Sequence, residues 1–310
     1  MAYDIGIIGA GPAGLTAGIY AGRAKMKTII ISDTIPGGQA MLTDEIENYP
    51  GFTSAIKGMD LLNSMHGQMK AYDVEQKQSK VISIGKDGDV FIIKTGKEDI
   101  KCLSVIVASG ASYRKLGVKG EDKFTGKGVS YCGVCDAPFF RDKDVAVVGG
   151  GDTALYEAAH LLKFCSKLHL IHRRDRLRGT KVLQERVLNN KNVSVHWNSV
   201  LEEICGDRMV SGIKIKDVLT GAVKDLSLKG VFIFVGITPH SEMVKDAVKM
   251  SEKGYILADN SMATSLKGVF TCGDVRDKIL RQVSTAVGEG ATAAFSAQKH
   301  VEELKGIAYK

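Results

Sequence analysis

Short apolar runs that end in glycine recur along the chain, separated by stretches with helical spacing. Asp4 to Ile8 is such a run, Leu15, Ile19 and Tyr20 follow at helical intervals, and Thr28 to Ser32 is apolar again. The pattern predicts a strand, a helix and a second strand. The same grammar returns at mid-chain, with an apolar run at Asp144 to Val148, helical spacing from Leu155 to Leu162 and a further run at Leu168 to His172. Two βαβ units are therefore expected, each with glycines where strand turns into helix.

Further β-branched runs close each half. Val105 to Val107 precedes Ala108-Ser109-Gly110, Val231 to Val235 precedes Gly236, and Val269 to Thr271 leads into Cys272-Gly273-Asp274 and a Gly- and Ala-rich helix from about Val283 to His300. That order predicts an α/β protein with two Rossmann-like nucleotide-binding domains, the first interrupted by the second. The expected boundaries are 1–113 with 246–310 for the outer domain and 117–242 for the inserted one. Hinges fall at about 113–117 and 238–246, where Gly, Pro and polar residues break the apolar runs.

Length and composition fit this picture. The 310 residues suffice for two domains with their own cores, and 44% hydrophobic with 25% charged residues is ordinary for a globular chain. The formal charge of +7 comes from scattered Lys and Arg without interleaved aromatics, so a nucleic-acid partner is not expected. No apolar run reaches the roughly 20 residues of a membrane span. The start, MAYDIGIIGAGPAG, has an acid where a signal peptide carries bases, which points to the cytoplasm.

Gly9-Ala10-Gly11-Pro12-Ala13-Gly14 fits the GxGxxG turn that brings a pyrophosphate against backbone and helix N-terminus, and Asp33 ends the second strand where an acid holds a ribose hydroxyl. The turn alone does not say which dinucleotide it takes. In the second unit Gly149-Gly150-Gly151-Asp152-Thr153-Ala154 opens the helix, with Gly150, Gly151, Asp152 and Thr153 as the binding candidates. There the following strand ends in His172-Arg173-Arg174-Asp175-Arg176-Leu177-Arg178 instead of an acid. Carboxylates suit a 2′-hydroxyl and repel a phosphate, whereas guanidinium groups hold a 2′-phosphate through paired hydrogen bonds. The two units thus read different nucleotides.

Of six cysteines (Cys102, Cys132, Cys135, Cys165, Cys205 and Cys272), only Cys132 and Cys135 are close in sequence. A lone Cys-x-x-Cys is either redox-active or half of a metal site. Zinc needs further ligands at short spacing and none is near, so no metal is expected. With Asp136 beside them, the two cysteines suit thiol–disulfide exchange.

Gly37-Gly38-Gln39, Ile46-Glu47-Asn48-Tyr49-Pro50-Gly51, Cys272-Gly273-Asp274-Val275 and Arg281-Gln282, together with the Cys pair just before the second glycine turn, resemble the low-molecular-weight (bacterial-type) thioredoxin reductases over essentially the whole chain. These are class II pyridine nucleotide-disulfide oxidoreductases. The resemblance implies FAD on the outer domain, near Gly38, Gln39, Asn48, Gly273, Asp274, Arg281, Gln282 and Val283, and NADPH on the inserted one, at His172, Arg173, Arg174 and Arg178. It implies that Cys135 faces the flavin, Cys132 attacks the disulfide of thioredoxin and Asp136 moves the protons. It also implies rotation of the domains between half-reactions and a homodimer. Phe139, Phe140 and Arg141 are a candidate docking edge for thioredoxin. Leu177 stands where the family often has an aromatic and Tyr156 where it often has a glutamate, leaving Glu157 of that pair. Alternatives from the same residues are a flavin disulfide reductase serving a peroxiredoxin or fed by ferredoxin, a dithiol oxidase, and a non-catalytic FAD-binding redox sensor.

Overall fold

Runs that are apolar on both faces become the inner strands of parallel sheets. In the computed structural model, which describes residues 2–33, 37–42, 46 and 48–308, the strand Tyr3–Ile8 pairs in parallel with Thr28–Ser32 on one side and Asp99–Val107 on the other. Ile5, Ile7, Ile29 and Ile31 are buried there. Glu75–Gln78 extends the sheet beyond Thr28–Ser32, while Val90–Thr95 and Val81–Asp87 add an antiparallel flank beyond Asp99–Val107. The late strand Val269–Thr271 returns to pair with Asp99–Val107.

Helices Pro12–Arg23 and Val283–Leu304 cover this sheet. They approach so closely that a β-carbon at Gly290 would overlap the Ala13 carbonyl, and Ala293, Ala294 and Ala297 are buried beyond it. The Gly- and Ala-rich composition of the last helix is therefore a packing requirement, and the helix runs four residues past His300.

The second sheet runs Val193–His196, Lys167–Ile171, Asp144–Val148, Gly230–Ile233 and Val129–Ser130, all parallel. Helix Asp152–Leu161 leads off its central strand. The antiparallel meander Ser199–Gly206, Val210–Asp217 and Val223–Ser227 has no counterpart in the sequence reading. Its outer strand is mostly exposed, so its apolar alternation is weak. No described helix is long and apolar enough to cross a membrane.

The chain divides into Met1–Ser112 with Thr238–Lys310, and Tyr113–Ile237. The crossings lie in the short strands Ala111–Tyr113 and Ile237–Pro239, which pair with each other. Residues 238–242, expected in the inserted domain, fall with the first unit. The reason is local: the Ser241 hydroxyl donates to the Gly254 carbonyl, and Val244 is buried with Ile256 and Val275. In the same unit, the Ser109 hydroxyl donates to the His240 carbonyl and the Ser112 hydroxyl lies 2.6 Å from His240 Nε2.

In the second unit the chain after the crossing is held by one carboxylate. Glu121, only 1% exposed, accepts the amides of Leu116 at 3.1 Å, Gly117 at 2.7 Å and Val118 at 3.3 Å, and the Tyr131 hydroxyl at 2.7 Å. Tyr131 stacks on Tyr113 with ring centroids 5.5 Å apart. Burial and the Glu121 carboxylate push the Tyr131 hydroxyl's pKa up. Glu121→Ala leaves the amides and the hydroxyl without an acceptor, and the expected cost is about 3 kcal/mol. Urea unfolding followed by circular dichroism measures it, with Tyr131→Phe as the milder control at about 1 kcal/mol.

Candidate active site

The first glycine turn is shaped by backbone, with side chains kept out. Gly9 has φ +104° and a β-carbon there would overlap the Ala108 carbonyl; one at Gly14 would overlap the carbonyl of Gly9. Gly11 is different. It caps helix Pro12–Arg23, and nothing lies within 4 Å of the position its β-carbon would take. Open space in front of a helix start, with Pro12 at the first helical position where no amide is needed, is the geometry that receives an anion.

Other expected residues gather at this turn. Gly37 N donates to Ala10 O at 2.7 Å, and a β-carbon on Gly38 would lie 3.2 Å from Gly11 Cα. Gln39 is exposed in the short helix Gly38–Leu42, and Asp33 is exposed just past its strand. Glu47 lies outside the described residues. Asn48 donates its side-chain amide to Gln282 Oε1 at 3.1 Å. Gln282 caps helix Val283–Leu304 with Thr285 in a reciprocal capping box, so two segments 234 residues apart meet where the resemblance places one site.

Around Asp274 a charged cluster is largely removed from water. Glu289 accepts Gly273 N at 2.8 Å and pairs with Arg276 at 3.0 Å and Lys278 at 3.2 Å, and Lys278 also lies 3.1 Å from Asp274 Oδ1. Arg281 sits over the Tyr255 ring, 4.2 Å from its centroid. Among the described residues Arg276 Nε and Arg281 Nε are buried without a hydrogen-bond acceptor, and Asp274 Oδ1 has only its ion pair with Lys278. Buried polar atoms left unsatisfied beside an open phosphate cradle fit a polar dinucleotide such as a flavin. The sequence signal for Glu289 is an acid in the small and apolar first half of the helix Val283–Leu304, ahead of its charged end.

In the second unit Gly151 is the open position, again capping its helix with nothing within 4 Å, and Ala154 takes the place held by Gly14 in the first. Thr153 is exposed in the helix's first turn. The loop after strand Lys167–Ile171 folds back onto this turn. Arg178 N and Gly179 N donate to Gly150 O, at 2.7 and 3.1 Å, and Thr180 N donates to Asp152 Oδ1 at 2.7 Å. Leu177 is buried in the core and pins the loop.

His172 is held by the backbone around it. Its Nδ1 lies 3.1 Å from Gly149 O and its Nε2 2.9 Å from Arg176 O, so both ring nitrogens face backbone and the ring acts as a strut under the arginines. Arg173, Arg174 and Arg178 are exposed and, among the described residues, have no carboxylate within ion-pair distance. Unpaired guanidinium groups at the rim of a helix-start cradle are suited to a phosphate.

Cys132 and Cys135 are joined as a disulfide. Cys132 caps the short helix Gly133–Asp136, where Cys135 N donates to Cys132 Sγ at 3.2 Å. The Ser130 hydroxyl accepts Cys132 N at 3.0 Å and lies 3.1 Å from Cys132 O. Asp136 follows in the same turn, half-buried. Phe140 is buried edge-on against Phe232 while Phe139 is 40% exposed, so of the two phenylalanines only Phe139 is available to a partner. Arg141 is exposed and reaches over the Phe164 ring. The remaining member of the family's glutamate pair, Glu157, supports the disulfide from below. Glu157 Oε2 accepts Val134 N at 2.9 Å, and a β-carbon at Gly133 would come within 2.5 Å of it. Burial raises the Glu157 pKa, the Val134 and Gly133 amides pull it down, and the Asp136 charge raises it again.

The family model for pyridine nucleotide-disulphide oxidoreductases matches residues 3–290. The thioredoxin reductase of Treponema pallidum is 45% identical over 303 residues, which are 98% of this chain and 98% of that protein. Among solved structures, the thioredoxin reductase of Streptococcus pyogenes is 45% identical with a TM-score of 0.92, covering 97% of this chain and 98% of that one. The Lactococcus lactis thioredoxin reductase in its FR conformation is 42% identical with a TM-score of 0.69, covering 97% and 99%.

Glu289→Gln is expected to loosen Gly273, Arg276 and Lys278 together. Loss of charge-assisted hydrogen bonds at about 1.5 kcal/mol or more corresponds to at least about a tenfold rise in the flavin dissociation constant. Titration of the stripped protein with FAD, followed by flavin fluorescence, measures it.

Proposed function

The chain belongs to the pyridine nucleotide-disulphide oxidoreductase family, and we propose that it is a thioredoxin-disulfide reductase that takes electrons from NADPH, relays them by way of FAD to the Cys132–Cys135 disulfide, and reduces oxidised thioredoxin. The observation that carries this reading is the disulfide's place in the chain: it lies in the same unit as a glycine turn followed by arginines that pair with no carboxylate among the described residues, while Asp33 follows the other unit's turn.

The first turn would hold FAD through the open backbone at Gly11, through Asp33 on the ribose, and through Asp274, Arg281 and Gln282 along the rest. The second would hold NADPH through Gly150, Gly151 and Thr153 on the pyrophosphate and Arg173, Arg174 and Arg178 on the 2′-phosphate. Bound flavin supplies the two-electron relay between a hydride donor and a disulfide. Two electrons and two protons convert the Cys132–Cys135 disulfide to two thiols. Cys132, as thiolate, attacks the partner's disulfide and releases one partner thiol; Cys135 then attacks the mixed disulfide, restores the internal bond and releases the second thiol. Asp136 is the proton carrier for these steps, and Phe139 with Arg141 faces the partner.

The nicotinamide site and the disulfide share one unit and both serve a flavin held by the other, so the domains rotate about the two crossings, in Ala111–Tyr113 and Ile237–Pro239. A homodimer in the cytoplasm completes the reading.

Cys132→Ser and Cys135→Ser are each expected to abolish NADPH-dependent reduction of a thioredoxin while FAD stays bound; normal turnover by either variant would sink the assignment. Combined Arg173→Ala, Arg174→Ala and Arg178→Ala should raise the KM for NADPH by about tenfold or more, since the loss of even one charged hydrogen bond costs about 1.5–3 kcal/mol, and leave the KM for NADH nearly unchanged. Steady-state rates with the two nucleotides side by side decide it.

A further inference from the structure

The Glu157 carboxylate, under the disulfide's turn, takes no lysine or arginine among the described residues. It takes backbone instead. Helix Asp152–Leu161 brings it under the redox turn, where Val134 N donates to Oε2 at 2.9 Å, and that oxygen fills the space a β-carbon on Gly133 would need. The turn's amides are thereby divided: Val134 N is held by Glu157, and Cys135 N is directed at Cys132 Sγ at 3.2 Å. A glycine at 133 is required for this contact and not for its backbone conformation, since Gly133 is absent from the residues of positive φ.

The arrangement has a chemical consequence for the reduced pair. Amides at the start of a helical turn are the usual means of stabilising a cysteine thiolate and lowering its pKa. Here a carboxylate has claimed an amide of the two-residue segment that joins the cysteines, with Asp136 as the titratable group whose charge acts on it from the turn. On its own helix, His160 is turned toward Phe164.

We propose that Glu157 is a positioning residue for the dithiol: it fixes the Cys132–Cys135 turn through the Val134 amide and, by withholding that amide and adding charge, keeps the reduced thiols protonated until a partner disulfide arrives. The inference deepens the reductase reading and rests on it only in taking Cys132 and Cys135 as the working pair. No new redox step is involved. Two electrons and two protons still give two thiols, and Glu157 acts on how readily one of them loses its proton.

The test is alkylation of the flavin-loaded protein after reduction with dithiothreitol, using iodoacetamide across a pH series and mass analysis of Cys132 and Cys135. Neither NADPH nor thioredoxin is present, so a failure here is separable from a failure of the reductase assignment, which bleaching of the flavin by NADPH and thioredoxin turnover examine. In the wild-type protein the more reactive thiol should titrate at or above the ordinary value of about 8.5; a strongly depressed midpoint overturns the proposal without any variant. Glu157→Gln keeps the shape and an acceptor for Val134 N but removes the charge, and should lower the midpoint by about one pH unit. Below both midpoints the tenfold gain in thiolate, less the accompanying fall in nucleophilicity, leaves about threefold faster alkylation. Gly133→Ala, which pushes the carboxylate off the turn while keeping its charge, should move the midpoint in the same direction by less. A purely structural Glu157 would change stability and leave the midpoint alone. Unshifted midpoints in variants with normal flavin spectra, or a rise in Glu157→Gln, overturn the inference.

Discussion

At two places a helix leaves the end of a central strand so tightly that the chain tolerates no side chain on the inner wall of the turn and leaves open space on the outer one. Gly9 and Gly14 close the inner wall in the first unit, Gly149 and Ala154 in the second, and Gly11 and Gly151 face the opening. The rest of the arrangement follows from this approach. The helix start points its amides at one spot, the neighbouring strand ends beside it, and whichever residues stand there decide what anion is accepted. One unit presents Asp33 and the other a loop of arginines, so a single backbone solution carries two different rims. The arginine loop is itself built on the turn, tied to Gly150 O and Asp152 and anchored by Leu177.

A second device recurs. Glu121, Glu157 and Glu289 are each shielded carboxylates that accept backbone amides: those of residues 116–118, of Val134 and of Gly273. A carboxylate has several lone pairs and can replace the water a loop would otherwise need, which lets an irregular segment sit against a core without orphaned donors. The three segments so held are the exit from the crossing, the redox turn and the bend beneath Asp274. Each is irregular chain beside a working part of the molecule, and in each a packed element supplies the acceptor.

What was legible in the sequence is what short-range pattern encodes. The glycine turns, their flanking strands and the Cys pair are written within a few residues, and the structure forms them where the runs predict. The meeting of Asn48 with Gln282 was legible only through the family's arrangement, since no local signal joins residues so far apart. Side-chain fate was less readable. Phe139 and Phe140 are adjacent and alike, yet Phe140 packs on Phe232 and Phe139 faces outward, because the direction of each is set by a strand some 90 residues away. The backbone contacts of His172 with Gly149 and Arg176 likewise carry no sequence signal. Glu121, Glu157 and Glu289 were missed as anchors because an acid's partners here are amides, and amides carry no sequence signal.

The outer unit is completed by a strand that arrives very late. Ser104 donates to the carbonyl of Gly268 and Thr271 to that of Val107, each bond spanning 164 residues, and Val269–Thr271 adds to a sheet begun at Tyr3. The inserted unit is one unbroken stretch. On a ribosome the middle of the chain can therefore reach its native contacts while the first sheet still lacks a strand and its last helix. Until then, the apolar face meant for Ala293, Ala294 and Ala297 stays uncovered, and the nascent chain carries an exposed, aggregation-prone surface that its final forty residues remove.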